Sequence, residues 1–312
     1  MDESGAVRES GSSRVGRSAT GTPVIVVGMD GSEHGDRAVL RAAVEAVRAG
    51  ARLRILHAVR VPIGMPGFEA IEPGPDVSLT ATALVEAAAA DVRARHPGVD
   101  VVGEVALGLP ADALLAAAED ATLLVAGSRG RGGFAGLMLG SVSRSLAART
   151  PCPLLVVRGR EGADGDDGRR SPGTDILVGV QGEGDDMPAL REAFTLARRW
   201  DLPVRAVHAW SWPGYVGLAG PTEDDMRAVA EVHAKALTEA LVPARVEFPG
   251  VAVREESVLA DAAAALMDAS ATSAVAVVGM RRRRGLLRHS VGHVASTAIE
   301  HADCPVLAVP IG

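Results

Sequence analysis

A glycine-rich turn followed by a helix start with two hydroxyl groups is the part of this chain best suited to bind an anion. Two tetrapeptides, GSRG and GSVS, are separated by nine residues. They comprise Gly127, Ser128, Arg129, Gly130, Gly140, Ser141, Val142 and Ser143. At a helix N-terminus the first N–H groups lack intrahelical partners and the helix dipole is positive, so an anion gains hydrogen bonds and charge complementarity there. The pattern therefore predicts a phosphate-binding loop.

The elements around this loop follow the order that a phosphate site needs. Residues 123–126 form an apolar run that predicts a buried strand, and residues 142–149 have the Ala and Leu content of a helix. Glycine has no Cβ atom to hold a phosphate away, and it can adopt the positive φ that such turns need. A GxxG turn alone is weak evidence, but its place after a strand and its spacing to the helix start strengthen it.

The chain of 312 residues contains the same pattern twice. Gly28 and His57 recur as Gly179 and His208 at an offset of 151, and from Gly127 onward the offset is 152. Because the repeat has the size of a whole domain, each copy should bury its own core. We expect a disordered arm at 1–22, a first domain at 23–158, a linker rich in Gly and Asp at 159–173, and a second domain at 174–312.

Strands and helices alternate in both repeats, which predicts α/β domains with parallel sheets covered on both faces. In the first repeat the predicted strands are 24–29, 53–59, 99–107, 123–126 and 153–157, and the predicted helices are 35–49, 79–95, 111–119 and 142–149. In the second repeat the predicted strands are 176–180, 204–209, 244–253, 274–278 and 305–309, and the predicted helices are 188–200, 223–241, 260–269 and 294–301.

Composition excludes several classes of function. The chain is 47% hydrophobic and 23% charged with a net charge of −7, which does not favour nucleic acid as a partner. Lys235 is the only lysine, so the first repeat has neither a GxxxxGK[ST] loop nor a Schiff-base lysine. No apolar run approaches the ~20 residues that cross a bilayer, and residues 1–22 lack the apolar segment of a signal peptide. We expect a cytoplasmic protein with no membrane partner.

Cysteines and histidines are predicted to serve the core. Cys152 and Cys304 occupy equivalent places before the last strand of each repeat, which favours two buried residues over a disulfide. His57 and His208 stand at the ends of buried strands, where a hydrogen bond to the backbone is expected and a metal is not, because no partner lies at ligand spacing.

Both repeats resemble the universal stress protein family. The resemblance rests on the VGMD end of the first strand, the LHA end of the second and the GxxG, nine residues, G[ST] pattern, and it extends over nearly the whole predicted ordered chain. It implies two tandem Rossmann-like domains, each a five-stranded parallel sheet in the order 3-2-1-4-5 flanked by helices. Ligands bind such sheets beyond the carboxyl ends of the strands, where the strand order reverses. Because unpaired edge strands seek partners, we also expect the domains to pair through 154–157 and 306–309 as a pseudo-dimer.

The resemblance also implies ATP, with or without Mg²⁺, as the ligand of the first domain. Asp30 and Ala58 would border adenine and ribose, and the two tetrapeptides would hold the phosphates. Two alternatives stay open from the residues themselves. Asp30 could instead satisfy a loop N–H, since Asp is a common turn residue, and Arg129 could either screen phosphate charge or only solubilise the loop.

The second repeat departs from this pattern, so we expect one nucleotide per chain. The replacements are Gln181 for Asp30, Arg282 for Gly130, His293 for Ser141 and Ala295 for Ser143. An arginine side chain would occupy space where backbone and phosphate should meet, and two hydroxyl groups are lost.

The sequence contains no cluster of paired carboxylates, lysine clamp or positioned nucleophile, so we expect a stress-response regulator or sensor that binds ATP and is not an enzyme. The alternatives are a slow ATP hydrolase and a scaffold that binds a protein through its second domain. The expected partners are an adenine nucleotide and an unidentified regulatory protein, with a homodimer left open.

Overall fold

The computed structural model describes residues 21–60, 75–130, 139–158, 173–182, 185–212, 222–281 and 292–311. The predicted arm at 1–22 and linker at 159–173 lie almost wholly outside the described residues, and both stay predictions.

Strands and helices alternate in the first repeat, as predicted. The strands are β1 (Val24–Gly28), β2 (Arg52–Val59), β3 (Val101–Leu107), β4 (Leu123–Gly127) and β5 (Leu154–Val157). The helices are α1 (Glu33–Ala49), α2 (Pro75–Arg95), α3 (Pro110–Ala118) and α4 (Ser141–Arg149).

The second repeat has the same element order. Its strands are β6 (Ile176–Gly179), β7 (Val204–Trp210), β8 (Val253–Leu259), β9 (Val275–Arg281) and β10 (Val306–Ile311). Its helices are α5 (Met187–Trp200), α6 (Glu223–Glu247), α7 (Ala262–Ser270) and α8 (His293–His301).

The strand predicted at 244–253 is wrong, because α6 continues to Glu247 and β8 begins only at Val253, where the prediction ended. Pro243 lies inside α6 on its exposed side, where water can solvate the carbonyl that its missing N–H leaves behind. Leu241, Ala244 and Phe248 follow at helical spacing and are all buried. Burial of this face outweighs the cost of one proline.

Local sequence fixes both ends of α1, the helix that follows β1. The Ser32 hydroxyl caps its N-terminus by accepting a hydrogen bond from the Gly35 N–H at 3.2 Å. Gly50 ends it in the left-handed conformation with φ of 58°, where a side chain would be strained. The start and the end of α1 are therefore set by two short-range signals.

The strands form one sheet in the order β3-β2-β1-β4-β5-β10-β9-β6-β7-β8. Within each repeat the pairs are parallel and the order is 3-2-1-4-5, which confirms that prediction. Strands β5 and β10 pair antiparallel, with Leu155 opposite Leu307. The predicted pairing of the two domains through their closing strands is confirmed.

Each face of the sheet carries an apolar layer that runs through both repeats. On one face Ile25, Leu155, Leu307 and Phe194 belong to one continuous cluster with α1 and α5. On the other face α3, α4, α7 and α8 contribute to a second cluster. The two repeats thus share their cores across the β5–β10 junction.

The cysteines are buried and free, as predicted. Burial raises the pKa of the Cys304 thiol to about 12, so it stays protonated at neutral pH. It behaves as a small apolar residue.

Among the described helices, none combines the length and the apolar character that a bilayer span requires.

Replacing Phe194 with Ala tests whether the two repeats unfold as one unit. Phe194 is fully buried in the layer that spans both repeats, so we expect a loss of ~3–5 kcal/mol in the free energy of unfolding. Calorimetry should show one transition, shifted as a whole to lower temperature. The control Val232→Ala changes a side chain that is 66% exposed and should alter stability by less than ~0.5 kcal/mol. Two separate transitions, of which only one moves, would contradict a shared core.

Candidate functional site

A cavity of about 1160 Å³ opens at the carboxyl ends of β1, β2 and β4. Strand β1 pairs with β2 on one side and with β4 on the other, so the strand order reverses at this point. This is the position at which open α/β sheets bind ligands. Residues of α2, α3 and α4 complete the described walls.

Nine of the ten predicted site residues line this cavity. They are Asp30, Ala58, Gly127, Arg129, Gly130, Gly140, Ser141, Val142 and Ser143. The tenth, Ser128, is buried beside it. Its N–H donates to the Val157 carbonyl at 2.9 Å, and its own carbonyl accepts from the Gly140 N–H at 2.8 Å. Ser128 therefore connects the loop to β5 and to the start of α4 through its backbone hydrogen bonds.

Helix α4 directs its N-terminus at the cavity. Its first intrahelical bond runs from the Arg144 N–H to the Gly140 carbonyl at 3.0 Å, so the N–H groups of residues 141–143 have no intrahelical acceptor. No side chain caps this end, and its first turn has no acidic residue. The positive end of the helix dipole is therefore not offset by a local carboxylate.

The hydroxyl groups of the α4 serines have different environments. Ser143 is buried and donates its hydroxyl hydrogen to the Gly127 carbonyl at 2.6 Å, which ties α4 to the end of β4. Ser141 is exposed at the cavity. Of the two hydroxyls predicted to hold phosphate, only that of Ser141 is placed to donate to a ligand in this arrangement.

The loop glycines lie so close to other parts of the protein that a Cβ atom would not fit. A Cβ atom at Gly127 would lie 2.6 Å from the His34 carbonyl oxygen, and one at Gly130 would lie 2.5 Å from Asp30 Oδ2. The positive φ predicted for the turn is wrong for both residues, because neither is among the glycines with positive φ. Close packing of α1 and of Asp30 against the loop explains the glycines.

Asp30 holds the loop that precedes α1 and also lines the cavity. Its Oδ1 atom accepts from the Ser32 N–H at 3.0 Å and from the Ser32 hydroxyl at 2.5 Å, so the alternative in which it satisfies a loop N–H is realised. The same carboxyl group packs against Gly130, which also lines the cavity. Neither role excludes the other.

Burial and nearby charges lower the pKa of His34, in the first turn of α1. Burial lowers the pKa of His34, and the nearby Arg37 and Arg129 guanidinium groups lower it further. Asp36 on the next turn of α1 has a raised pKa because of burial and the neighbouring Asp30 and Glu33. An added anion beside Arg129 would therefore change the protonation balance at the start of α1.

Sequence reasoning missed the apolar wall of the cavity. Val59, Ala81, Leu84 and Leu114 line it from β2, α2 and α3. These residues belong to ordinary amphipathic patterns, so nothing in their types or spacing separates them from the core. His57 also lines the cavity, and its Nδ1 atom lies 2.9 Å from the Met29 carbonyl oxygen, which confirms the predicted bond to backbone.

The second repeat keeps the helix start but rearranges the loop after its first strand. Helix α8 begins at His293 with Gly292 as its N-cap, as α4 begins after Gly140, but its third residue is Ala295. The N–H groups of Gln181 and Gly182 donate to the Asp186 carboxylate at 3.0 and 2.8 Å. The residue Arg282 lies outside the described part of the chain.

In the described part of the chain, no three His, Cys, Asp or Glu side chains converge in an arrangement that could hold a metal ion.

Comparison with known proteins agrees with this architecture. The model of the universal stress protein family matches residues 22–158 and 174–310. Universal stress protein Rv2005c of Mycobacterium tuberculosis is 31% identical over 293 residues, which cover 91% of this chain and 95% of that protein. A universal stress protein of Mycolicibacterium smegmatis is 29% identical over 290 residues, which cover 91% of this chain and 96% of that protein.

The fold is also seen in a solved structure. The crystal structure of a universal stress protein from Archaeoglobus fulgidus matches with a TM-score of 0.65 and 17% identity, covering 93% of this chain and 98% of that chain. Together with the family match to both repeats, this shows that the chain belongs to the universal stress protein family and carries two such domains in tandem.

Proposed function

We propose that the first domain binds ATP and that the protein acts as a nucleotide-responsive stress regulator or sensor, without substantial catalysis. The observation that carries this proposal is one cavity with two chemically different ends. One end has an apolar wall from β2, α2 and α3, and the other has the N–H groups at the start of α4. A nucleotide has the same division between a flat base and charged phosphates.

The base end of the cavity suits a heterocycle. Val59, Leu84 and Leu114 supply apolar surface, and flat rings gain from burial against such side chains. The cavity of about 1160 Å³ is larger than the ~300–1,000 Å³ of most small-molecule sites, which leaves room for a ligand of the size of ATP. Asp30 lines the same cavity, and in this proposal its carboxylate accepts hydrogen bonds from the ribose hydroxyl groups.

The phosphate end combines neutral and charged donors. The N–H groups of Ser141, Val142 and Ser143 and the Ser141 hydroxyl could bind phosphate oxygens, and Arg129, which lies next to the start of α4, adds positive charge. Mg²⁺, if it accompanies ATP, would bind mainly through the phosphates, with Asp30 as the carboxylate beside the loop. The bound Mg²⁺ would neutralise part of the phosphate charge.

Two polar side chains that line the cavity, Ser143 and His57, are hydrogen-bonded to backbone carbonyl groups. The Ser143 hydroxyl donates to a carbonyl group and has no base as its acceptor, and His57 Nδ1 is bonded to the Met29 carbonyl. A hydrolase needs a group that activates water or a nucleophile within hydrogen-bond reach. These bonds favour binding over turnover.

The two serines of α4 make the phosphate site testable. Ser141→Ala should weaken ATP binding by ~10- to 150-fold, because a hydrogen bond to a charged partner contributes ~1.5–3 kcal/mol. Ser143→Ala should mainly lower thermal stability, since its hydroxyl bonds Gly127. Isothermal titration with ATP should give one site per chain in the wild type. Ser145→Ala, on the same helix, is the matched control, and an unchanged affinity in Ser141→Ala would refute this placement of the phosphates.

ATP should remain intact on the protein or turn over very slowly. Typical enzymes reach ~1 to 1,000 turnovers per second, and we expect no group among the described residues of the cavity to support such a rate. Chromatography of nucleotide released from the protein after incubation with ATP measures the conversion. Turnover in the enzymatic range that disappears in Ser141→Ala would make the protein an ATP hydrolase.

Binding of ATP should take up protons at His34. Its pKa is lowered in the free protein by burial and by Arg37 and Arg129, and phosphate beside Arg129 would offset that repulsion and raise the pKa. A ligand that raises the pKa binds more tightly as the pH falls, so affinity should increase from pH 7.5 to pH 6. The same titrations on His34→Gln isolate this effect from protonation of the γ-phosphate. An identical pH dependence in both proteins would show that His34 does not sense the ligand.

A further inference from the structure

The second repeat places large rings where the first repeat has an open cavity wall. Val59 and Trp210 are the last residues of β2 and β7 and hold the same register, opposite Leu107 and Leu259 respectively. Their carbonyl groups also accept equivalent backbone bonds, from Gly108 at 2.9 Å and from Ala260 at 3.0 Å. Val59 lines the cavity of the first domain. Trp210 is therefore the structural counterpart of a cavity residue.

A second cavity residue is replaced on the helix that faces this strand end. In α2 the buried residues Ala81, Val85 and Ala89 follow one another at intervals of four, and in α6 the same spacing joins His233 to the buried Leu237 and Leu241. Both helices precede the third strand of their repeat. His233 thus stands where the first domain has Ala81, which lines the cavity.

The two replacement side chains stack on each other. The ring centroids of Trp210 and His233 lie 4.7 Å apart with 7° between the ring planes. Trp210 is buried, with 6% of its surface exposed. A stacked indole and imidazole therefore fill the space between the end of β7 and α6, with the flat aromatic faces that a bound purine would present.

A hydrogen-bond chain holds the imidazole of His233 in place. His208 Nδ1 lies 3.0 Å from the Val180 carbonyl oxygen, so this nitrogen donates and leaves Nε2 as an acceptor. His208 Nε2 lies 3.0 Å from His233 Nδ1, which donates to it. The counterpart His57 makes the same backbone bond but turns toward the open cavity. In the second repeat, His208 near the end of β7 thus holds the stacked rings of His233 and Trp210 through its hydrogen bond to His233.

We infer that Trp210 and His233 are the residues that close the second domain to a nucleoside. The inference deepens the proposed function of the first domain and rests on it. A base could enter the second crevice only by displacing the buried indole of Trp210 and the imidazole of His233, which stacks on it and is hydrogen-bonded to His208. The two domains would then differ in nucleotide binding at the base end of the crevice. This difference is separate from the substitutions in the phosphate loop.

Exchange of the two side-chain pairs between the domains tests this assignment. Val59→Trp with Ala81→His should weaken ATP binding by ~5- to 150-fold, because overpacking of a site costs ~1–3 kcal/mol. Val47→Trp, at an exposed position on α1 outside the cavity, is the control for an added indole and should bind ATP as the wild type does. Circular dichroism and thermal unfolding establish that each variant is folded.

The reverse exchange, Trp210→Val with His233→Ala, should open the second crevice. Adenosine is the probe because it needs no phosphate loop, and titration should give two adenosine sites per chain where the wild type gives one. If this variant does not fold, the exchange in the first domain decides. Unchanged ATP affinity in the folded Val59→Trp, Ala81→His variant, or one adenosine site in the folded reverse variant, would overturn the assignment.

The wild-type titration separates this inference from the proposed function. Two sites of equal affinity in the wild type would overturn the closure of the second domain and leave nucleotide binding by the first intact. No binding in the wild type would refute the proposed function, and a site gained in the reverse variant would then still support closure by the two rings.

Discussion

The close contact between α1 and the end of β4 is the constraint on which the rest of the site depends. The His34 carbonyl approaches Gly127 so closely that a Cβ atom there would lie 2.6 Å from it. Because α1 occupies this side of the loop, the chain after β4 has to turn toward α4, where the Ser143 hydroxyl bonds the Gly127 carbonyl from the other side. The cavity is thus shaped by bonds within the protein, and a ligand would enter a site that is already organised.

The junction of the two repeats connects this site to the second domain. Arg144, in the first turn of α4, lies 3.8 Å from Glu300 of α8, and Arg158 at the end of β5 donates to the Ile299 carbonyl at 2.6 Å. Burial lowers the pKa of Arg158, and the nearby Arg129 of the cavity lowers it further. An ion pair from α4 and a hydrogen bond from the end of β5 therefore connect the first repeat to α8 of the second, beside the paired edge strands.

The sequence predicted the sheet well because alternation and duplication are properties of the chain itself. The strand order, the closing-strand pair and the cavity at β1 and β4 all follow from periodicity, from the repeat and from the family resemblance. Side-chain direction does not follow from spacing, because it depends on rotamer and neighbours. Hence the bond from Ser143 to Gly127, the helix that continues past Pro243 and the stack of Trp210 on His233 were not predicted.

The loop after the first strand shows how the second repeat keeps the fold without a carboxylate at the end of that strand. In the first repeat Asp30 bonds the Ser32 N–H, and Gly35 leaves room for it, since a Cβ atom there would lie 2.9 Å from Asp30 Oδ1. In the second repeat the equivalent positions hold Gln181 and Asp186, and the carboxylate of Asp186 reaches back to the loop N–H groups from the helix side. Each carboxylate accepts hydrogen bonds from backbone N–H groups of the turn. The fold therefore needs a carboxylate near this turn, but it does not need it at one fixed position in the sequence. Asp30 directly follows β1 and lines the cavity of the first domain, whereas Asp186 lies at the start of α5.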